Sequence, residues 1–130
     1  MLGAGARVNV LVVEDELRIA DFLAKGLMRQ GFDVHRADTG SDALARIADG
    51  NRHAPIDLVV LDLGLPDIDG LDVLRALRAR RSAVPVIVLT ARSEPNDRDE
   101  ALRLGAVEYL TKPLPLPEFL ASVRANLNAD

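Results

Sequence analysis

The chain contains no cysteine and no tryptophan. The first absence excludes a disulfide framework, thiol nucleophiles and thiolate metal sites. Only two histidines are present, His35 and His53, so a histidine-built metal centre is excluded as well. Aromatic residues are scarce: one tyrosine and three phenylalanines. No apolar run approaches the ~20 residues of a membrane-spanning helix. Positive charge is in deficit, with 16 Lys and Arg against 20 Asp and Glu, for a net charge of −4. Such a balance argues against direct nucleic-acid binding, which needs a basic footprint. Met1 to Arg7 reads as too short for a secretory leader. A cytoplasmic protein with no membrane partner is expected.

What is present suits a single globular domain of 130 residues, 48% hydrophobic and 28% charged. Short apolar runs alternate with amphipathic stretches. Val8 to Val13 is rich in β-branched residues and reads as a strand buried on both faces. An amphipathic helix follows, with Ile19, Phe22, Leu23, Gly26 and Leu27 expected to face inward and Gly31 just past its end. Residues 32–36 alternate as an edge strand does. Thr39, with Asp42 three residues on, marks the next helix start. Residues 57–62 and 85–90 predict the third and fourth strands. Asp69-Gly70 opens the helix between them. Residues 95–104 predict a weakly apolar helix, 107–110 a short fifth strand, and a last helix begins near Pro117.

This (βα)5 pattern implies an α/β three-layer sandwich, a parallel five-stranded sheet with helices on both faces. The expected order is the flavodoxin-like 2-1-3-4-5. The domain is expected over 7–128, with 1–6 and 129–130 as flexible termini.

Open α/β sheets place ligands at the carboxyl ends of their strands. Glu14 and Asp15 follow the first strand, Asp62 ends the third, Thr90 ends the fourth and Lys112 follows the fifth. Taken singly, each is an ordinary strand-end or surface residue. Together they make a chemical set. Three carboxylates at close quarters repel one another and need a counter-charge. A hard, oxygen-loving cation such as Mg²⁺ supplies it, and also neutralises a transferring phosphoryl group. Lys112 offers a charge for a phosphate oxygen and Thr90 a hydroxyl donor. An aspartate can be the nucleophile.

The segments VNVLVVEDE (8–16), DLVVLDLGLPDIDG (57–70), VIVLTAR (86–92) and GAVEYLTKP (105–113) together resemble response-regulator receiver domains of bacterial two-component systems. Their pattern is most similar to receivers joined to winged-helix DNA-binding domains. The resemblance implies Asp62 as phospho-acceptor, taking its phosphoryl group from a sensor histidine kinase. It implies Mg²⁺, with Mn²⁺ as a substitute, held by Asp15, Asp62 and the Gly64 backbone carbonyl, and by Glu14 through water. Lys112 and Thr90 then bind the phosphoryl group, and Thr90 couples to the switching aromatic, Tyr109. Pro113 matches a proline that the family often holds in cis. The implied role is a phosphorylatable switch regulating transcription, which catalyses only its own phosphorylation and dephosphorylation and is not otherwise an enzyme. Homodimerisation through the fourth helix, fifth strand and fifth helix is a further implication. Arg98 and Glu118 suit its ion pairs, whereas Leu104, Val107 and Ser122 replace common charged partners.

Several alternatives stand beside this reading. A stand-alone regulator or phosphorelay intermediate would carry the same residues. An aspartyl-nucleophile phosphatase would want a second aspartate at position 64, which is glycine. A flavodoxin-like electron carrier would want a Ser/Thr-rich loop where Glu14-Asp15-Glu16 stands. The arginines at 75, 78, 80 and 81 read as a cationic helix end, and Asp67 and Asp69 as turn and cap formers. Gly64 and Gly70 read as backbone-geometry positions, and both histidines as solvated surface residues.

Overall fold

The computed structural model describes residues 7–49 and 54–127. His53 and the expected flexible termini, 1–6 and 129–130, therefore lie outside the described residues. Ten elements alternate along the chain: β1 (Asn9–Val13), α1 (Leu17–Arg29), β2 (Asp33–Ala37), α2 (Gly40–Ala48), β3 (Leu58–Leu61), α3 (Gly70–Ala79), β4 (Val86–Thr90), α4 (Pro95–Arg103), β5 (Glu108–Thr111) and α5 (Leu116–Leu127). The strands are all parallel, in the order β2-β1-β3-β4-β5 that the sequence predicts.

Strand alternation divides the core into two layers. Leu11, Val13, Val59, Leu61, Val86 and Val88 face the layer that packs on α2, α3 and the Ala101 side of α4. Val10, Val12, Leu58, Val60, Ile87 and Leu89 face α1 and α5, meeting Leu23, Leu27, Phe119 and Val123. The three central strands are buried along their whole length, which explains their near-continuous apolar sequences. Strand β2, at the edge, is only partly covered, as its alternating sequence implies.

Two expectations need correction. Phe22 does not face the core; it is 54% exposed. The buried face of α1 is Ala20, Leu23, Ala24, Gly26 and Leu27, and Phe22 falls beside that stripe. His35 is not simply solvated: its Nε2 lies 2.9 Å from Oδ1 of the buried Asn9. A buried polar side chain at the start of β1 needs such a partner.

Helices α1, α3 and α4 end alike. In each, the third residue past the helix reaches back to a carbonyl five residues earlier: Phe32 to Leu27, Ser82 to Leu77 and Ala106 to Ala101. This closing turn requires left-handed backbone at the residue between. Gly31 (φ 92°) and Gly105 (φ 98°) fill it in α1 and α4, but in α3 the residue is Arg81, with φ 55°. A side chain in this region costs about 1–2 kcal/mol, partly offset by glycine's greater unfolded-state freedom. Arg81→Gly is therefore expected to stabilise the domain by about 0.5–1 kcal/mol. A urea midpoint that falls instead would refute the strain.

Candidate functional site

Register brings the strand ends level. Val13 pairs with Leu61, and Leu61 with Val88. Asp62 N donates to the Val13 carbonyl at 3.0 Å, and Lys112 N to the Thr90 carbonyl at 2.8 Å. Residues 14, 15, 62, 90 and 112 thus emerge on one rim, although 98 positions separate Glu14 from Lys112.

Carboxylate oxygens of Glu14, Asp15 and Asp62 all lie within 4.8 Å of one another. Glu14 and Asp62 are nearly buried, at 4% and 9% exposure, whereas Asp15 is exposed. The Lys112 ammonium sits between the two buried carboxylates, 2.5 Å from Glu14 Oε1 and 3.4 Å from Asp62 Oδ2. Burial pushes the Glu14 carboxyl above its usual range, and the nearby Asp62 charge adds to this; the Lys112 hydrogen bond opposes both. Burial acts to lower the Lys112 ammonium, but the Glu14 hydrogen bond and the Asp62 charge outweigh it, and the net shift is upward. The donor set is all hard oxygen with excess negative charge at short range. It fits Mg²⁺ better than any softer metal.

Backbone amides finish the site. Glu16 N donates to Glu14 Oε2 at 3.2 Å, and Gly64 N to Asp62 Oδ1 at 3.3 Å. Thr90 is 1% exposed, and its Oγ1 accepts from Arg92 N at 3.4 Å. The Lys112–Pro113 bond is cis, as the resemblance implies. Tyr109 is half-buried, and its hydroxyl donates to the Arg92 carbonyl at 2.8 Å.

Two aspartates after the acceptor position turn out to anchor the loop that carries it. Asp69 caps α3 through Leu71 N at 2.9 Å, as expected. Asp67 reaches across to α2, where its oxygens accept from Gly40 N at 2.8 Å and Ser41 N at 2.9 Å. Those are orphan donors at a helix N-terminus, a natural place for a carboxylate. No local sequence signal reveals a cap supplied from 27 residues away. Gly70 behaves as the sequence suggests, since a Cβ there would lie 2.6 Å from Leu63 Cα. Gly64 does not: a Cβ there would meet nothing within 4 Å. Steric need therefore does not explain that glycine.

The Gly40 and Ser41 amides hold the Asp67 carboxyl far below the ordinary range. Burial alone would raise Asp69, but the Arg92 hydrogen bond and the Leu71 amide together lower it. Folded-state values below the unfolded ones mean that the native state binds fewer protons in acid, so stability rises with pH there. Both contributions are complete above the ordinary aspartate range, about pH 4, and are lost progressively as pH falls from there through the depressed folded values. Acid unfolding followed by circular dichroism is expected to show a shallower loss between about pH 4 and 2 in Asp67→Asn than in wild type. An identical acid limb would refute the assignment.

Sequence reasoning missed the exposed Phe22. It lines a groove of about 220 Å³ with Leu89, Lys112, Pro113 and Leu114, directly beside the acidic rim. It also missed the contacts of Arg92, which join the β3–α3 loop to α4 and β5. No helix among the described residues is long and apolar enough to cross a membrane.

Comparison with known proteins agrees with this geometry. Residues 10–124 match the family model of the response regulator receiver domain. The transcriptional regulatory protein KdpE of Mycobacterium tuberculosis is 48% identical over 116 residues, covering 89% of this chain and 49% of its own length. CusR of Escherichia coli, also a transcriptional regulatory protein, is 39% identical over 120 residues, covering 92% and 51%. The non-phosphorylated HemR receiver domain from Leptospira biflexa superposes with a TM-score of 0.83 at 32% identity, covering 95% of this chain and 97% of its own. The chain spans about half the length of the curated relatives it matches. With its five-stranded parallel sheet, its acidic rim and these relatives, the chain belongs to the response-regulator receiver domain family of two-component systems.

Proposed function

We propose that this domain is a phosphorylation switch that takes a phosphoryl group onto Asp62, using Mg²⁺, from a phosphohistidine on a sensor kinase. The observation that carries the proposal is the set Glu14, Asp15, Asp62 and Lys112 at one strand-end rim, with carboxylate oxygens within 4.8 Å and the ammonium between two of them. An Asp62 oxygen attacks phosphorus, the N–P bond breaks, and the leaving imidazole keeps the bond's electron pair. Lys112 already lies 3.4 Å from the attacking carboxylate and has a charge ready for a phosphoryl oxygen. Asp15, Asp62 and the Gly64 carbonyl would hold the metal directly, and Glu14 through water. When bound, Mg²⁺ supplies charge neutralisation at the phosphoryl oxygens. Thr90 and Tyr109 form the switch pair.

The exposed Phe22 and Leu17, with Leu114 across the groove, form the docking face for the kinase's histidine-bearing helix. The groove adjoins the reactive rim because Lys112 belongs to both. Large exposed apolar side chains beside a reactive site mark a partner surface. In the full-length protein the domain acts in the cytoplasm as the regulatory part of a DNA-binding transcription regulator, DNA contact belonging to other segments. It dimerises through α4, β5 and α5.

Incubation with acetyl phosphate tests the chemistry. A hydroxylamine-labile adduct is expected, dependent on Mg²⁺ and located by peptide mass spectrometry at Asp62. An adduct elsewhere, or none, would overturn the proposal.

A further inference from the structure

The loop from Asp62 to Asp69 is tied down on both sides, but to unequal supports. On one side Asp67 grips the N-terminus of α2 through two backbone amides. On the other, Asp69 is held by Arg92, which lies in the connection between β4 and α4. The Arg92 Nη2 stands 2.7 Å from Asp69 Oδ2 and 3.4 Å from the Leu63 carbonyl, so one guanidinium spans both ends of the loop. Its Nη1 faces Asp97, in the first turn of α4, at 4.0 Å. The backbone of the same residue does two more things: its N–H donates to Thr90 Oγ1, and its carbonyl accepts from the Tyr109 hydroxyl at 2.8 Å.

The Thr90 hydroxyl, the Tyr109 hydroxyl and the acceptor loop thus all meet at Arg92. The support behind it is also the weaker one. Helix α4 buries only Ala101, whereas α2, the helix that Asp67 grips, buries Gly40 and Ala43 and packs Leu44 and Ile47 against the core. A sparsely buried helix opens at low free-energy cost. Hydrogen bonding to Asp69 holds the guanidinium firmly charged.

We propose that the Asp69–Arg92 ion pair is a latch on the resting state, and that Arg92 is a positioning residue which holds the acceptor loop and Tyr109 together until phosphorylation. The proposal rests on the reading of Asp62 as phospho-acceptor. Both side chains are about one-third exposed (33% and 37%), so solvent screens the pair and its effect is a few-fold, not orders of magnitude. A modest bias suits a latch. It tilts a two-state equilibrium without preventing the change.

The chain's own composition provides the probe. Tyr109 is the only tyrosine and there is no tryptophan, so intrinsic emission reports this one residue. Asp69→Asn keeps a side-chain oxygen to cap α3 but removes the charge. Arg92→Met keeps the stem and removes the guanidinium. In the resting protein, both variants are expected to raise acrylamide quenching of Tyr109 roughly twofold. Both are expected to tighten beryllofluoride binding with Mg²⁺ by about two- to fivefold, because the ligand no longer works against the latch. The double variant should equal either single one, and Arg92→Lys should recover part of the wild-type behaviour. Unchanged quenching in both variants, or additive effects in the double, would overturn the latch. If wild type binds no beryllofluoride, the phospho-acceptor reading fails instead. The resting Tyr109 comparison still decides the latch in that case.

Discussion

Asp62→Asn is expected to abolish phosphorylation at this position, lowering acetyl-phosphate labelling by about 10³-fold or more, the scale of removing a nucleophile that acts within a unit. The reason is electronic rather than steric. The amide oxygen of asparagine carries no net charge and cannot displace a leaving group at phosphorus. The surroundings change little, because the two contacts Asp62 makes, from Gly64 N to Oδ1 at 3.3 Å and from Lys112 Nζ to Oδ2 at 3.4 Å, are both long, and the single amide oxygen of asparagine can keep one of them. Lys112 keeps Glu14 as its partner. The variant is therefore expected to unfold at a urea midpoint close to that of wild type while losing the label. If Asp62→Asn labels as well as wild type, the nucleophile is another residue.

Gly70→Ala, at the junction of the acceptor loop and α3, is expected to cost the domain a large share of its stability. A Cβ at this position would sit 2.6 Å from Leu63 Cα and 2.7 Å from the Asp62 carbonyl oxygen. Both are backbone atoms, so no side-chain rotation relieves the contact. Position 70 is also the first residue of α3, and its N–H donates to the Leu63 carbonyl at 2.9 Å. The helix thus starts in direct contact with the end of β3, and only glycine allows that approach. Overpacking of this kind typically costs about 1–3 kcal/mol, and a contact with two backbone atoms belongs near 3. For a domain of this size that is a fall of roughly 10 °C in Tm. The same displacement moves residues 62 and 63, so acetyl-phosphate labelling should fall with stability. Calorimetry showing a Tm within 2 °C of wild type would contradict this close packing.

The contrast with Gly64 shows how little a glycine in a sequence says by itself. Gly64 lies inside the acceptor loop and Gly70 just past its end, and both read as backbone requirements. Space is open around one and absent around the other. Phe22 teaches the same lesson for helices. It shares the apolar character of its neighbours on α1, yet it is 54% exposed, because the buried stripe runs through Ala20, Leu23, Ala24 and Leu27. Burial of a residue at the margin of a stripe depends on where the neighbouring elements end. Here Lys112, Pro113 and Leu114 line a groove at that margin.

By itself the sequence determined the alternation of strands and helices, the parallel sheet, and the five polar residues that follow the strand ends. These are legible because they rest on local signals: β-branched apolar runs, 3.6-residue periodicity, Thr39 and Asp69 at helix starts, Gly31 after a helix end. Strand polarity then places Glu14, Asp15, Asp62, Thr90 and Lys112 on one rim without any knowledge of packing. Only the tertiary structure decided how that rim is wired. Lys112 lies between Glu14 and Asp62, Asp67 caps a helix that precedes it in the chain, and Arg92 ties Asp69 to Tyr109. Each of these contacts joins residues at least 17 positions apart. Side-chain reach across loops is set by loop shape, and no periodicity in the chain encodes it.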